Sequence, residues 1–450
     1  MRRFILHDRY NYTSFLSCLD DNSFSKKDLD KKVILGFLRD GILYYKETFI
    51  KGLRKEFTHQ VFNLDDEVGF IDSSESIELE PKKDTSKEPF DVFVSFFKER
   101  REFLQEKKVS IDLTGGVDSR LIASVLSYLK IPFDTVFSLG AGNDEERKIV
   151  KEVSEQLGKK LDIIMVNDIE SEQELESLFN LSDGMWDVFG IKSLNEVQWW
   201  RKQKGYDLAI TGVGGELYKD FWWQQDFPFY NSKKTRFNRL LNVRFNRASI
   251  PGDWLAGEVR SLVEEDEQKL LDKMFELKTP LNTRTYDQIY FHLKIKEQIS
   301  VLSHAANSII PTYSPLLEEE LLSVGYNLPR SQRFFNRFHR HVITRLTPGI
   351  SRIRTSDGGM SVSSDFTYMT GDLFKFFKTK TSRVLALPGK RAKKQKSDLP
   401  MPVEERLKES IALLKEADIF SESVPEDYYE IPRILWGRIL TLGFVLERLR

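Results

Sequence analysis

From Pro89 to Gly212 short apolar runs alternate with longer amphipathic stretches, and few folds accommodate that alternation. The segment FDVFVSFFKERREFLQEKK spaces its apolar residues three and four apart, which predicts a helix. VSIDLT (Val109–Thr114), FDTVFSLG (Phe133–Gly140), LDIIMVN (Leu161–Asn167) and YDLAITG (Tyr206–Gly212) read as strands. RLIASVLSYLK and DEERKIVKEVSEQLG, lying between them, read as helices. Strand and helix in strict alternation imply βαβ units, an α/β class and a parallel sheet. Ligands of such sheets bind outside the carboxyl ends of the strands. That rule selects Thr114 to Ser119, Gly140 and Gly212 to Glu216 before any motif is considered.

The flanks are less regular. Residues 1–88 mix apolar runs such as VILGFL, ILYY and QVFNL with charged turns and end in the polar stretch SSESIELEPKKDTSKEP, read as a linker after a small β-rich unit. The α/β core is expected over 89–240 and a helical C-terminal part over 241–450, punctuated by Pro311, Pro315, Pro329 and Pro348. With 68 basic and 69 acidic side chains, the formal charge of −1 argues against a protein that coats nucleic acid or an anionic membrane. The single cysteine, Cys18, excludes disulfide scaffolds and multi-cysteine metal sites. No run approaches ~18 apolar residues, and the expectation is a soluble, cytoplasmic protein. Residues 375–396 hold nine Lys and Arg and no acid, expected as a solvated loop or a phosphate or RNA contact.

The sharpest chemical signal is Leu113-Thr114-Gly115-Gly116-Val117-Asp118-Ser119-Arg120, where a strand gives way to a helix. Gly115 and Gly116 let backbone approach a ligand closely, and consecutive N–H groups there make an anion-binding concavity. Thr114 and Ser119 add hydroxyls, Asp118 an oxygen ligand for Mg2+, and Arg120 positive charge. No GxxxxGK[ST] is present, so γ-phosphate transfer is not the natural reading.

This run resembles the SGGxDS pyrophosphate loop of the N-type ATP pyrophosphatases, specifically the asparagine synthetase family. Ser138–Gly158, with Ser138 and Leu139 at its start, is similar to the family's second strand, acidic pair and helix. Gly212-Val213-Gly214-Gly215-Glu216-Leu217 resembles its GEGxDEL loop, and SPLLEEELL, LPRSQR and RLTPGISRIRTSDGG its C-terminal segments. The resemblance implies a five-stranded, mostly parallel sheet of the adenine-nucleotide hydrolase (HUP, Rossmann-like) type. It implies adenylation of a small-molecule carboxylate by ATP with release of pyrophosphate, followed by attack of ammonia or an amine. Asp118 and Glu216 would then hold Mg2+; Leu113 to Arg120, Ser138, Leu139 and Gly212 to Gly215 would hold ATP.

The departures are specific. GVGGEL is one residue shorter than GEGxDEL, with Val213 where an acid is common. The family's C-terminal lysine has no counterpart; Asn336, Arg337 and Arg340 stand near its place, and Arg340 is the catalytic candidate there. Residues 30–67 are similar to the end of a glutaminase domain, but Arg2 occupies the place of that domain's cysteine nucleophile. The expected nitrogen source is therefore ammonia, an amine or a separate protein that delivers ammonia or carries the substrate. Asp183 and Asp187 are pocket candidates; Trp199, Trp200, Trp222 and Trp223 suit stacking or a core. His292, His304, His339 and His341 show no ligand spacing and are assigned no chemistry, and Ser119 has no evident triad partners. Two other roles compete: a degenerate ATP-binding regulatory partner, and a tRNA-modifying ATP pyrophosphatase using the basic stretch.

Overall fold

The computed structural model describes residues 2–6, 10–12, 14–57, 59–62, 70–73, 79, 88–139, 144–220, 222, 240–241, 244–276, 284–356, 361–365, 370–371, 374 and 399–449. Gly140, Trp223 and the basic stretch 375–396 lie outside them.

Near the N-terminus, Arg2–Leu6 (β1), Tyr10–Tyr12 (β2) and Arg54–Phe57 (β3) form an antiparallel sheet in the order β2-β1-β3, and His59–Phe62 (β4) pairs with Phe70–Ser73 (β5). Two helices interrupt this strand content, Phe15–Asp21 (α1) and Lys31–Asp40 (α2). The apolar run VILGFL lies in α2 because its ends are specified locally. The Asp30 carboxylate accepts the N–H groups of Lys32 and Val33 at 3.2 and 3.1 Å, and Gly41 closes the helix at φ 69°.

The central sheet contains Val109–Asp112 (β6), Asp134–Leu139 (β7), Leu161–Met165 (β8), Leu208–Ile210 (β9) and Thr312–Tyr313 (β10), all parallel, in the order β10-β9-β6-β7-β8. Helices Asp118–Tyr128 (α3) and Asp144–Gln156 (α4) follow β6 and β7. The chain runs outward from β6 through β7 to β8, then returns to place β9 on the other side of β6. The loops leaving β6 and β9 therefore diverge at the switch point, where open α/β sheets form a crevice.

Helix Arg337–Leu346 (α5) packs on α3, and the aromatic side chains Phe93, Phe96 and Phe97 fill the core beside it, each fully buried. Burial of each contributes roughly 1.5–3 kcal/mol. A second core joins α1 and α2 to the C-terminal helices Met401–Glu416 (α6) and Arg433–Glu447 (α7). Residues 15–50 are thus packed against the far end of the chain. Arg438 of α7, 3% exposed, ties these parts together by donating to the carbonyls of Leu38, Arg39 and Asn246 at 2.7–2.8 Å.

Removing that guanidinium takes a donor from each of three carbonyls, of which that of Arg39 keeps the Ala248 N–H. Arg438→Met is expected to lower stability by about 2–4 kcal/mol, read as a shifted denaturant midpoint at unchanged slope. Acid weakens the fold at another point. Burial, then the charges of Lys296 and Lys273, push the His292 imidazole down from 6.5 to about 4. The unfolded chain binds the extra proton first, so this stability is complete above pH ~6.5 and is lost as pH falls towards 4. Replacing His292 by Gln should flatten the dependence of thermal midpoint on pH across that window.

Candidate active site

At the end of β6 the chain turns tightly through Thr114, Gly115 and Gly116 into α3. Ser119 Oγ accepts the Thr114 N–H at 3.0 Å and lies 3.1 Å from Thr114 Oγ1, so the two hydroxyls brace the turn. The Gly115 N–H donates to Glu146 Oε1 of α4 at 2.9 Å. An amide of this loop thus already holds a carboxylate, the kind of group an anion-binding concavity accepts. No N-cap side chain at Val117 takes up the first-turn N–H groups of α3, and that turn starts where the 113–117 loop ends. Ser138 and Leu139 end β7, the neighbouring strand.

The second loop leaves β9 at Gly212 and turns through Gly214 at φ 98°, a conformation a side chain resists. The next residue passes so close to Asp118 that a Cβ on Gly215 would stand 2.3 Å from Asp118 Oδ1. The two loops therefore meet, and glycine is what permits it. Val213 packs at the edge of the core, where an acid would be desolvated.

Asp118 and Glu216 are brought to one site, but a lysine stands with them. Lys219 Nζ lies 2.6 Å from Asp118 Oδ2 and 3.9 Å from Glu216 Oε1. Asp118 Oδ1 is 2.8 Å from His339 Nε2, and Glu216 Oε2 accepts the Tyr290 hydroxyl at 2.7 Å. Burial alone would raise the Asp118 carboxyl, but the Lys219 charge and the His339 hydrogen bond outweigh it and hold it well below the usual carboxylate range. Burial also pushes His339 down, so the imidazole is neutral and donates from Nε2, leaving a buried Nδ1 with no hydrogen-bond partner among the described residues. Tyr290 opens the π-helical stretch Tyr290–Ile299, an irregularity common at functional sites. Lys294, in the same stretch, feels the Glu216 charge but is pushed down to about 8 by burial.

A divalent ion shared by Asp118 and Glu216 does not fit this donor set, because the Lys219 ammonium occupies the position between them. Among the described residues no group of three or more His, Cys, Asp or Glu side chains is arranged to hold a metal. Sequence reasoning missed Lys219, His339 and Tyr290. Lys219 follows Glu216 by three residues and was within reach of the motif; His339 and Tyr290 arrive from distant helices.

Other expected residues turn elsewhere. Arg340, 3% exposed, donates to the carbonyls of Phe335, Ser361 and Ser363 at 2.7–2.9 Å. It follows His339 by one residue, about 100° around the helix, so only one of the two side chains faces the site. Arg120 is fully buried and donates to the carbonyls of Ile353, Arg354 and Gly115, pinning segment 353–356 against the loop. Asp183 accepts the N–H groups of Phe15 and Leu16 at the start of α1, and Asp187, partly buried, accepts the Phe189 N–H and lies against Gly437 of α7, so both serve the fold. Trp222 packs against Phe245 and Tyr290 in the core, Trp200 lies against Tyr206, and Trp199 is exposed.

The asparagine synthase family model matches residues 100–351, more than half of the chain, and spans both loops and α5. No curated protein matches the chain.

The meeting of the loops is testable by a single methyl group. Gly215→Ala is expected to cost about 1–3 kcal/mol by forcing the pinned Asp118 aside, whereas Gly257→Ala, with nothing within 4 Å of the new carbon, should leave the thermal midpoint nearly unchanged.

Proposed function

Because the chain belongs to the asparagine synthase family of ATP-dependent amide-forming ligases, we propose that it adenylates a small-molecule carboxylate and then joins it to ammonia or an amine. The observation that carries this reading is the meeting of the 113–120 and 212–216 loops at the switch point of a parallel sheet. A carboxylate does not accept an amine directly, because oxide is too poor a leaving group. Attack of a carboxylate oxygen on the α-phosphorus of ATP forms one O–P bond and breaks another, and pyrophosphate leaves with the electron pair. Ammonia or an amine then attacks the acyl carbon, AMP departs, and the nitrogen gives up a proton.

The first step builds negative charge on the leaving pyrophosphate. The Gly115 amide, which holds the Glu146 carboxylate in the free protein, the uncapped start of α3 and the Lys219 ammonium are the groups at hand to meet that charge. Asp118 acts as a positioning residue: it holds Lys219 with one oxygen and His339 with the other. Glu216, steadied by Tyr290, is our choice for the acceptor of the amine proton. Holding carboxylate and nucleotide together in one crevice supplies the rest of the acceleration. The near-neutral overall charge and the packing of Trp200 and Trp222 against other aromatic rings favour a small-molecule acid over a nucleic acid.

Purified protein incubated with ATP, ammonium and a panel of amino and carboxylic acids should release pyrophosphate with at least one of them. Asp118→Asn should slow that release by on the order of 100-fold with an unaltered circular dichroism spectrum. Binding of ATP without pyrophosphate release from any acid would instead support a nucleotide-binding partner protein.

A further inference from the structure

Three of the four carboxylate oxygens of Asp118 and Glu216 hold a hydrogen bond from the protein. The fourth, Glu216 Oε1, lies 3.9 Å from the Lys219 ammonium. A magnesium ion needs near-octahedral oxygen ligands at ~2.0–2.1 Å, and the donors already in place restrict the lone-pair directions from which it could approach these oxygens. It would also have to enter beside an ammonium that already neutralises one of the two acids.

Lys219 is not a surface lysine that swings aside without cost. Its side chain is 12% exposed, and its carbonyl accepts both Nε and a terminal nitrogen of Arg333 at 3.1 and 2.9 Å. Arg333 is itself held by a bidentate pair with Asp287 at 2.6 and 2.7 Å, both side chains 1% exposed. This buried pair fixes the backbone from which the ammonium reaches Asp118. Arg244 and Lys294 add positive charge on the Glu216 side, each close enough to feel its carboxylate. The cluster is therefore charge-compensated without any added ion.

We infer that Lys219 is the resident cation of the Asp118–Glu216 pair and keeps a protein-held divalent ion out of it. A divalent ion in this site, where one is used, is then carried by oxygens of the nucleotide and not by the two acids alone. The inference concerns the nucleotide-free protein and does not depend on the ligase reading: failure of pyrophosphate release leaves it untouched.

Mn2+ is the probe, with free ion followed by electron paramagnetic resonance in the absence of nucleotide. Wild-type and Asp118→Asn proteins should bind Mn2+ alike. Lys219→Ala should gain one site at least ten-fold tighter than anything in the wild type, and Lys219→Ala/Asp118→Asn should lose it. A wild-type Mn2+ site that Asp118→Asn abolishes would overturn the inference, as would a folded Lys219→Ala protein that gains none. Should Lys219→Ala fail to fold, the wild-type and Asp118→Asn comparison decides alone: an Asp118-dependent ion refutes the inference, and equal binding sustains it.

Discussion

Asp118 is the point at which three remote parts of the chain are fastened together. Its carboxylate joins the start of α3 to Lys219, beyond the β9 loop, and to His339 on α5. A buried carboxylate with no partner is costly, and a buried ammonium equally so. Paired, the two hold the crevice at a defined width, and the neutral imidazole takes the remaining oxygen. Glycine at 215 is required because this closeness leaves no room for a side chain, and glycine at 214 by its φ of 98° and the nearness of Leu316 and Leu317.

The supporting structure repeats one device. Arg120, Arg333, Arg340 and Arg438 are all buried, and each directs its guanidinium at backbone carbonyls of a segment far away in sequence. Arginine suits this because its planar fork offers several donors at fixed angles and stays charged at any accessible pH. Carbonyls of loops, and of the last turn of α2, thereby gain a donor. Two of these arginines brace the site from behind, Arg120 through the Gly115 carbonyl and Arg333 through that of Lys219.

Much of the fold was legible because local pattern and global need coincide there. The alternation over 89–212 yields β6 to β9 within the expected runs, with the inner strands β6 and β9 largely buried and the edge strand β8 partly exposed. The VILGFL run misleads in isolation, because an apolar stretch of that length suits strand or helix equally; Asp30 and Gly41 decide it. Arg340 and His339 show the opposite limit. Adjacent in sequence, they point in different directions, and only the seating of α5 on α3 determines which one meets Asp118.

The amino-acid sequence by itself determined the βαβ core, the two glycine-bearing loops and the acids at 118 and 216, because each depends on residues within one strand, turn or helix end. It also carried the family. Tertiary structure alone decided what those acids touch. Lys219, His339 and Tyr290 reach them from three separate stretches, His339 lying 221 residues from Asp118, and no spacing rule encodes the arrival of His339 or Tyr290. A carboxylate's chemistry follows from the charges and donors around it, and those are assembled only when the chain is folded.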